Sequence, residues 1–103
     1  MAEKTYDNAS QERGYAVLLT LAGQEITGLA PSEIADAVKA SRSRITCDLR
    51  VLQKMGLAEP SLETGRWRLG PKVVQIALAF TDSITRSRRK LDEISQRYTR
   101  QPN

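Results

Sequence analysis

The sequence of 103 residues contains no histidine and a single cysteine, Cys47. Without histidine there is no Ser-His-Asp arrangement, no histidine acid–base pair and no imidazole metal ligand. One cysteine excludes an internal disulfide and a four-cysteine zinc site. No paired-carboxylate site stands out either. We therefore predict no catalytic site, no metal site and no cofactor, and we do not expect an enzyme.

Long apolar runs are also missing from the sequence. A membrane-spanning helix needs about 18 or more consecutive apolar residues, and residues 1–8 lack the apolar segment of a signal peptide. We expect a cytoplasmic chain with no membrane contact. The length of 103 residues and the hydrophobic content of 40% fit one domain with an attached arm.

The net charge of +4 is unevenly distributed along the chain. Residues 1–38 carry a net charge of −4, residues 39–72 carry +5, and residues 73–103 carry +3. An acidic N-terminal segment followed by a basic middle segment indicates that the middle segment binds a polyanion. The alternative is a solvated basic face, since basic helices are common.

The first half of the chain predicts two helices between flexible segments. Residues 1–9 and 99–103 are expected to be tails. The first helix is predicted over residues 10–22 and ended by Gly23. Its apolar stripe comprises Tyr15, Leu18, Leu21 and Ala22. Ile26 and Leu29 of the connector are expected to enter the core, and Pro31 suits the first position of a second helix.

The third helix is predicted over residues 42–55, with Ser41 as its cap and Gly56 at its end. Ile45, Leu49 and Leu52 lie at helical spacing and define its inner face. Residues 57–60 and 66–69 then predict a β-hairpin. Because strand side chains alternate, Trp67 and Leu69 share one face, and Arg66 and Arg68 share the other. Trp67 is expected to fill the core.

Three helices followed by a hairpin predict a winged helix-turn-helix domain over residues 10–70, a mainly α fold with a small β-hairpin. In this fold the third helix enters the major groove of DNA. Its predicted outward face is polar and basic, with Asp48 toward the side, and the wing arginines and Ser32 can reach phosphates. The predicted DNA-binding residues are Ser32, Arg42, Ser43, Arg44, Thr46, Cys47, Arg50, Lys54, Arg66 and Arg68.

Residues 71–98 form a helical region that we interpret as a linker and dimerisation arm. From Val73 to Tyr98 its seam positions follow steps of four and three, the spacing of a heptad repeat. Thr81-Asp82-Ser83 favours caps over helix interiors, so two helices, 71–80 and 82–98, are an alternative to one. The predicted dimer contacts are Tyr15, Val73, Val74, Ala77, Phe80 and Ile84.

Four segments of the sequence resemble the DNA-binding domain of IclR-type bacterial transcription regulators. They are residues 28–35 (GLAPSEIA), 43–52, 56–57 and 65–72 (GRWRLGPK). The Gly-x-Trp-x-Leu-Gly-Pro block is similar to the wing-to-linker signature of that family, which usually has tyrosine where Trp67 stands. The similarity covers about residues 12–98, and Leu91-Asp92-Glu93-Ile94 is similar to the helix that leads into the family's effector domain.

The resemblance implies sequence-specific binding to a palindrome as a dimer or as a dimer of dimers. The sequence departs from the family where Lys39 replaces a turn glycine and where Cys47 replaces a basic residue. The family's small-molecule effector domain has no counterpart, so we expect either a small stand-alone bacterial or phage regulator or a fragment.

Two functions follow as hypotheses. The first is a homodimeric regulator that binds a palindromic site on double-stranded DNA, more readily a repressor than an activator. The second is a protein-interaction adaptor that uses a winged-helix scaffold without reading DNA.

Overall fold

The computed structural model describes residues 6–100, so residues 1–5 and 101–103 of the predicted tails lie outside the described part. The elements in chain order are α1 (Ala9–Thr20), α2 (Pro31–Val38), α3 (Arg42–Lys54), β1 (Ala58–Pro60), β2 (Trp67–Leu69) and α4 (Pro71–Thr99). The chain divides into two compact units, one up to Val73 and one from Val74. The predicted fold class, mainly α with a small hairpin, is confirmed.

The core of the first unit collects apolar side chains from all three helices and from the hairpin. On α3 the predicted inner face, Ile45, Leu49 and Leu52, is buried. Trp67 is 7% exposed and closes the core from the hairpin, as predicted. The remaining buried members are Val17, Leu21, Ile34, Ala35 and Ala58.

Two expectations for the α1 region are wrong. The stripe of α1 is centred on Val17 and Leu21, whereas Tyr15 and Ala22 are exposed. Ile26 does not enter the core, because it lies in the connector turn and is 96% exposed. Leu29 does pack against the core, as predicted.

The helix starts are stabilised by local hydrogen bonds. The Ser41 hydroxyl accepts the Arg44 N–H at 3.3 Å, which confirms the predicted cap of α3. Ala30, at the start of α2, has no capping oxygen of its own. Instead, the Glu33 carboxylate accepts the Ala30 N–H at 2.9 Å, so half of a capping box is retained.

The turn between α2 and α3 keeps a glycine-like backbone without glycine. Lys39 has φ 61° and ψ 51°, the left-handed conformation that costs a residue with a Cβ about 1–2 kcal/mol. The Ala40 N–H donates to the Ala35 carbonyl at 3.0 Å across this turn. The departure at Lys39 therefore leaves the turn shape intact and places strain in it.

Leu29 pairs with the free edge of the hairpin at Trp67, a contact that the sequence did not predict. β1 and β2 pair antiparallel with Pro60 opposite Trp67, while Trp67 exchanges two backbone hydrogen bonds of 2.8 Å with Leu29 on its other side. Pro60 is tolerated because both backbone groups of Trp67 are directed to Leu29. Gly28 has φ 69°, and a Cβ there would lie 2.9 Å from the Trp67 carbonyl oxygen.

The arm is a single helix in the structure, so the alternative of two helices is wrong. α4 runs without a break from Pro71 to Thr99. The Thr81 hydroxyl donates to the Ala77 carbonyl at 3.1 Å, a bond by which threonine is accommodated inside a helix. Within residues 6–100, no helix has the length and apolar character needed to cross a membrane.

Candidate nucleic-acid interface

The outward face of α3 presents the polar residues that the sequence predicted. Because the buried stripe fixes the rotation of α3, the opposite side is exposed throughout. Among residues 6–100, no carboxylate pairs with the side chains of Arg42, Arg44 or Lys54. The exposed residues of this face, which we call the α3 face, are Arg42, Ser43, Arg44, Thr46, Cys47, Arg50 and Lys54.

Some side chains of the α3 face make weak local contacts. The Thr46 hydroxyl donates to the Arg42 carbonyl at 2.9 Å, and Arg50 donates to the Gln53 side chain at 3.2 Å. The Ser43 hydroxyl lies 3.3 Å from the Ser41 hydroxyl. These contacts stay within one or two turns, so most of the face is open to a ligand.

Asp48, the one carboxylate of α3, is turned away from the α3 face. Its side chain is 10% exposed and accepts two hydrogen bonds from Arg13 of α1, at 2.6 and 3.1 Å. This hydrogen bonding raises the pKa of the Arg13 guanidinium above its ordinary value. The negative charge of Asp48 is thereby neutralised inside the fold, and every charged side chain on the α3 face is basic.

The wing arginine Arg66 is engaged with the loop before α2. Its Nε donates to the Thr27 carbonyl at 3.0 Å, and its Nη2 donates to the Gly28 carbonyl at 3.1 Å and lies 2.8 Å from the Glu33 carboxylate. Nη1 has no partner among the described residues. Arg66 thus ties the hairpin to the start of α2 and retains donors for an external anion.

Arg68 is paired within the hairpin. Its Nε donates to the Glu59 carboxylate at 3.2 Å across the two strands, and both side chains are partly exposed. Trp67 between the two arginines is buried, as predicted, while Arg66 and Arg68 are partly exposed and contact different segments of the chain. Both arginines are nevertheless partly neutralised, a feature that the sequence analysis missed.

Ser32 and Glu33 lie in the first turn of α2. Ser32 is half-buried at the second position of the helix. The pKa of Glu33 is lowered, first because its carboxylate accepts the Ala30 N–H and further because Arg66 lies beside it. A charged Glu33 therefore holds both the helix start and the wing arginine.

The predicted dimer residues lie on two elements. Tyr15 of α1 is 57% exposed on the side away from the core. Val73 is half-buried at the start of α4, and the other members are exposed. These are Val74, Ala77, Phe80 and Ile84.

The sequence predicted which residues of α3 are exposed, but it did not predict the ion pairs and hydrogen bonds that join α3 and the wing to the rest of the fold. Asp48 lies at i+3 from Ile45, inside the apolar stripe of α3, and this position was a signal that a cation from a neighbouring helix must meet it. Glu33, three residues after Ala30, was a signal for the reciprocal half of a capping box. The carbonyl contacts of Arg66 had no local signal, because Thr27 and Gly28 are distant in sequence.

No family model matches the sequence, and no curated protein matches it. Solved structures do match the fold. An IclR family transcriptional regulator from Brucella abortus has a TM-score of 0.64 and 19% identity over 78% of this chain. The chain spans about 30% of the length of that regulator.

Two further structures share the arrangement with DNA present. A MepR mutant from S. aureus bound to an oligodeoxyribonucleotide has a TM-score of 0.53 and 21% identity, covering 80% of this chain and 62% of its own. A Zalpha domain of Cyprinid Herpesvirus3, described by its binding mode to Z-DNA, has a TM-score of 0.53 and 22% identity, covering 60% of this chain and 98% of its own. The chain has the winged helix-turn-helix fold.

In the vocabulary of this fold, α3 takes the position that is called the recognition helix, the hairpin takes the position of the wing, and Lys39 lies in the turn of the helix-turn-helix. The fold that the sequence resemblance implied is confirmed by these structures.

Within residues 6–100, no group of three or more acidic or cysteine side chains is placed to hold a metal ion.

Proposed function

We propose that the chain binds double-stranded DNA sequence-specifically through the recognition helix and acts as a transcription regulator. The observation that carries this proposal is the α3 face, which is exposed, basic and free of carboxylates because Asp48 is turned inward to Arg13. Arginine can pair bidentately with guanine, and serine and threonine can bond to bases. The MepR mutant bound to an oligodeoxyribonucleotide and the Zalpha domain that binds Z-DNA support DNA binding by this fold, and the reading of sequence by α3 is our proposal.

Within this proposal the N-terminal end of α3 reads bases and the surrounding residues hold the backbone. Arg42, Ser43, Arg44 and Thr46 lie in the first turns of α3, the part of a recognition helix that meets base edges. Cys47, Arg50 and Lys54 extend the contact along the groove. Ser32 and the uncommitted donors of Arg66 and Arg68 bind phosphates, which position the protein without reading sequence.

The regulator acts as a homodimer on a palindromic site. On α1, Tyr15 is an exposed aromatic side chain, and on α4, Val74, Phe80 and Ile84 are exposed apolar side chains that a second copy can cover. A dimer on a palindromic site requires two recognition helices about 34 Å apart, one turn of DNA. Repression is favoured over activation, because occupancy of a promoter suffices to exclude polymerase.

Selection of bound sequences from a random double-stranded DNA pool, followed by a salt titration, tests the proposal. We expect a palindromic motif, and affinity that falls steeply with salt as counterions are released. Arg44→Ala should relax the preference at one position by about 1–3 kcal/mol. Arg86→Ala on α4, outside the interface, is the matched control.

Other outcomes contradict distinct parts of the proposal. If Arg44→Ala leaves both affinity and preference unchanged, α3 is not the reader. If binding is insensitive to salt, the adaptor hypothesis is favoured instead. Sedimentation as a monomer, both in free solution and on DNA, would contradict the homodimer. If the seam on α4 is the dimer interface, Phe80→Glu should convert the dimer to a monomer.

A further inference from the structure

The second half of α4 carries a narrow apolar stripe that the proposed dimer seam does not use. Leu91, Ile94 and Tyr98 continue the heptad positions beyond Ile84 and are exposed, Leu91 to 66%. Ser87 occupies the seam position between Ile84 and Leu91. A hydroxyl at a core position weakens helix pairing there, so Ser87 separates this C-terminal stripe from the dimer seam.

The side chains that flank the C-terminal stripe are basic or neutral. In a heptad with Ile84, Leu91 and Tyr98 at position a, the flanking e and g positions from residue 81 to residue 97 contain three basic residues and three hydroxyl residues. They contain no acid. The basic members are Arg88, Lys90 and Arg97. Among residues 6–100, no ion pair involves α4, so none of these three basic side chains is held in an ion pair within the described part of the chain.

Flanking charges of this kind select the partner helix. Residues at e and g form the ion pairs between helices of a coiled coil, and they set which helices associate. A second copy of this stripe offers no acid to Arg88, Lys90 or Arg97, so self-pairing gains no ion pair and brings like charges together. A helix with acidic flanks gains an ion pair at each of the three positions.

We propose that the C-terminal stripe of α4 binds an acidic amphipathic helix of another protein. Leu91, Ile94 and Tyr98 pack against the apolar seam of that helix, and Arg88, Lys90 and Arg97 pair with its flanking carboxylates. The apolar stripe between the basic side chains favours a helix over a nucleic acid, because a phosphate backbone has no apolar surface to cover it.

Two designed peptides of four heptads, with leucine at a and d, serve as probes of the full chain. One has glutamate at e and g, and the other has lysine there. We expect the glutamate peptide to bind about tenfold or more tightly than the lysine peptide, a difference that three partly exposed ion pairs can supply. The preference should shrink as salt rises.

Matched charge reversals locate the contact. R88E/K90E/R97E should reverse the preference, so that the lysine peptide binds more tightly. R86E/R89E/R100E reverses the same number of charges at positions away from the stripe and should keep the preference for glutamate. Circular dichroism of both variants checks that α4 remains helical.

Three results would overturn the inference. One is equal binding of both peptides, and another is an equal response to the two sets of reversals. The third is loss of self-association in L91A/I94A, which would assign the stripe to the homodimer. A fall in DNA affinity confined to R88E/K90E/R97E, without a peptide preference, would identify the basic residues as phosphate contacts. DNA selection by α3 is measured separately, so failure of one proposal leaves the other standing.

Discussion

The Arg13 guanidinium holds both carboxylate oxygens of Asp48, at 2.6 and 3.1 Å, and so joins α1 to the inner side of the recognition helix. The pair is largely removed from solvent. Removal of one partner leaves the other charge without compensation in a poorly solvated position. The Arg13–Asp48 pair therefore supports the orientation of α3 that the buried apolar stripe sets, and it does so from outside the α3 face.

Asp48→Ala should lower the melting temperature and weaken DNA binding together, because Arg13 is left unpaired and α3 loses its link to α1. Arg13→Ala should have a similar effect, and the double substitution should cost less than the sum of both. Thermal unfolding and DNA titration of the four proteins measure this coupling. Asp36→Ala, at an exposed position of α2, is the control; additive effects at Arg13 and Asp48 would contradict the prediction.

Lys39→Gly should stabilise the first unit by roughly 0.5–1 kcal/mol. Glycine adopts the left-handed conformation without the strain of about 1–2 kcal/mol that a Cβ causes. Its greater backbone freedom stabilises the unfolded state by about 0.4–1 kcal/mol, which offsets only part of this gain. Urea unfolding followed by fluorescence measures the change. Lys39→Ala retains the Cβ and should give no such gain; equal effects of the two substitutions would show that the lysine side chain, and not the backbone, is responsible.

Alkylation of Cys47 should weaken DNA binding by about tenfold or more, because an adduct on the exposed α3 face separates the helix from the groove. Cys47 is the single cysteine of the chain, so N-ethylmaleimide acts there alone among thiols. Bound DNA should in turn slow the alkylation. Cys47→Ser should bind DNA with or without reagent, and undiminished binding by the alkylated wild type would place the DNA elsewhere.

The free energy of unfolding should decline as the pH falls below 4.5, the ordinary pKa of the Glu33 carboxyl group. The folded-state pKa of Glu33 lies below the unfolded one, so its stabilising effect is present above 4.5 and is lost as the pH falls through the lower folded value. Glu33→Gln should flatten this part of the profile. The midpoints of urea unfolding between pH 7 and pH 3 measure this dependence, and Glu12→Gln is the control. Identical pH profiles for Glu33→Gln and the wild type would refute the prediction.

The inner face of α3 and the wing were predictable from local patterns. Ile45, Leu49 and Leu52 follow helical spacing closely enough to fix which side of α3 faces outward. Trp67 between two arginines shows the alternation of a strand. These patterns are properties of short segments, so tertiary structure has little opportunity to override them.

The failures arise where distant residues decide the outcome. Ile26 is apolar, yet its exposure follows from a turn geometry that composition does not specify. Arg66 was predicted to lie on the outer face of the hairpin and to reach phosphates, and the contacts that it makes within the chain were not predicted. The bridge between Leu29 and Trp67 brings the Thr27 and Gly28 carbonyls within its reach.

The position of Trp67 has a spectroscopic consequence. It is the single tryptophan of the chain and lies in the core of the first unit, so its emission monitors unfolding of the winged-helix core. Far-ultraviolet circular dichroism reports all four helices instead, including α4, the longest helix among the described residues. A second transition that appears in the dichroism but not in the tryptophan emission of one unlabelled sample therefore reports separate melting of the arm, and coincident midpoints indicate that the two units melt together.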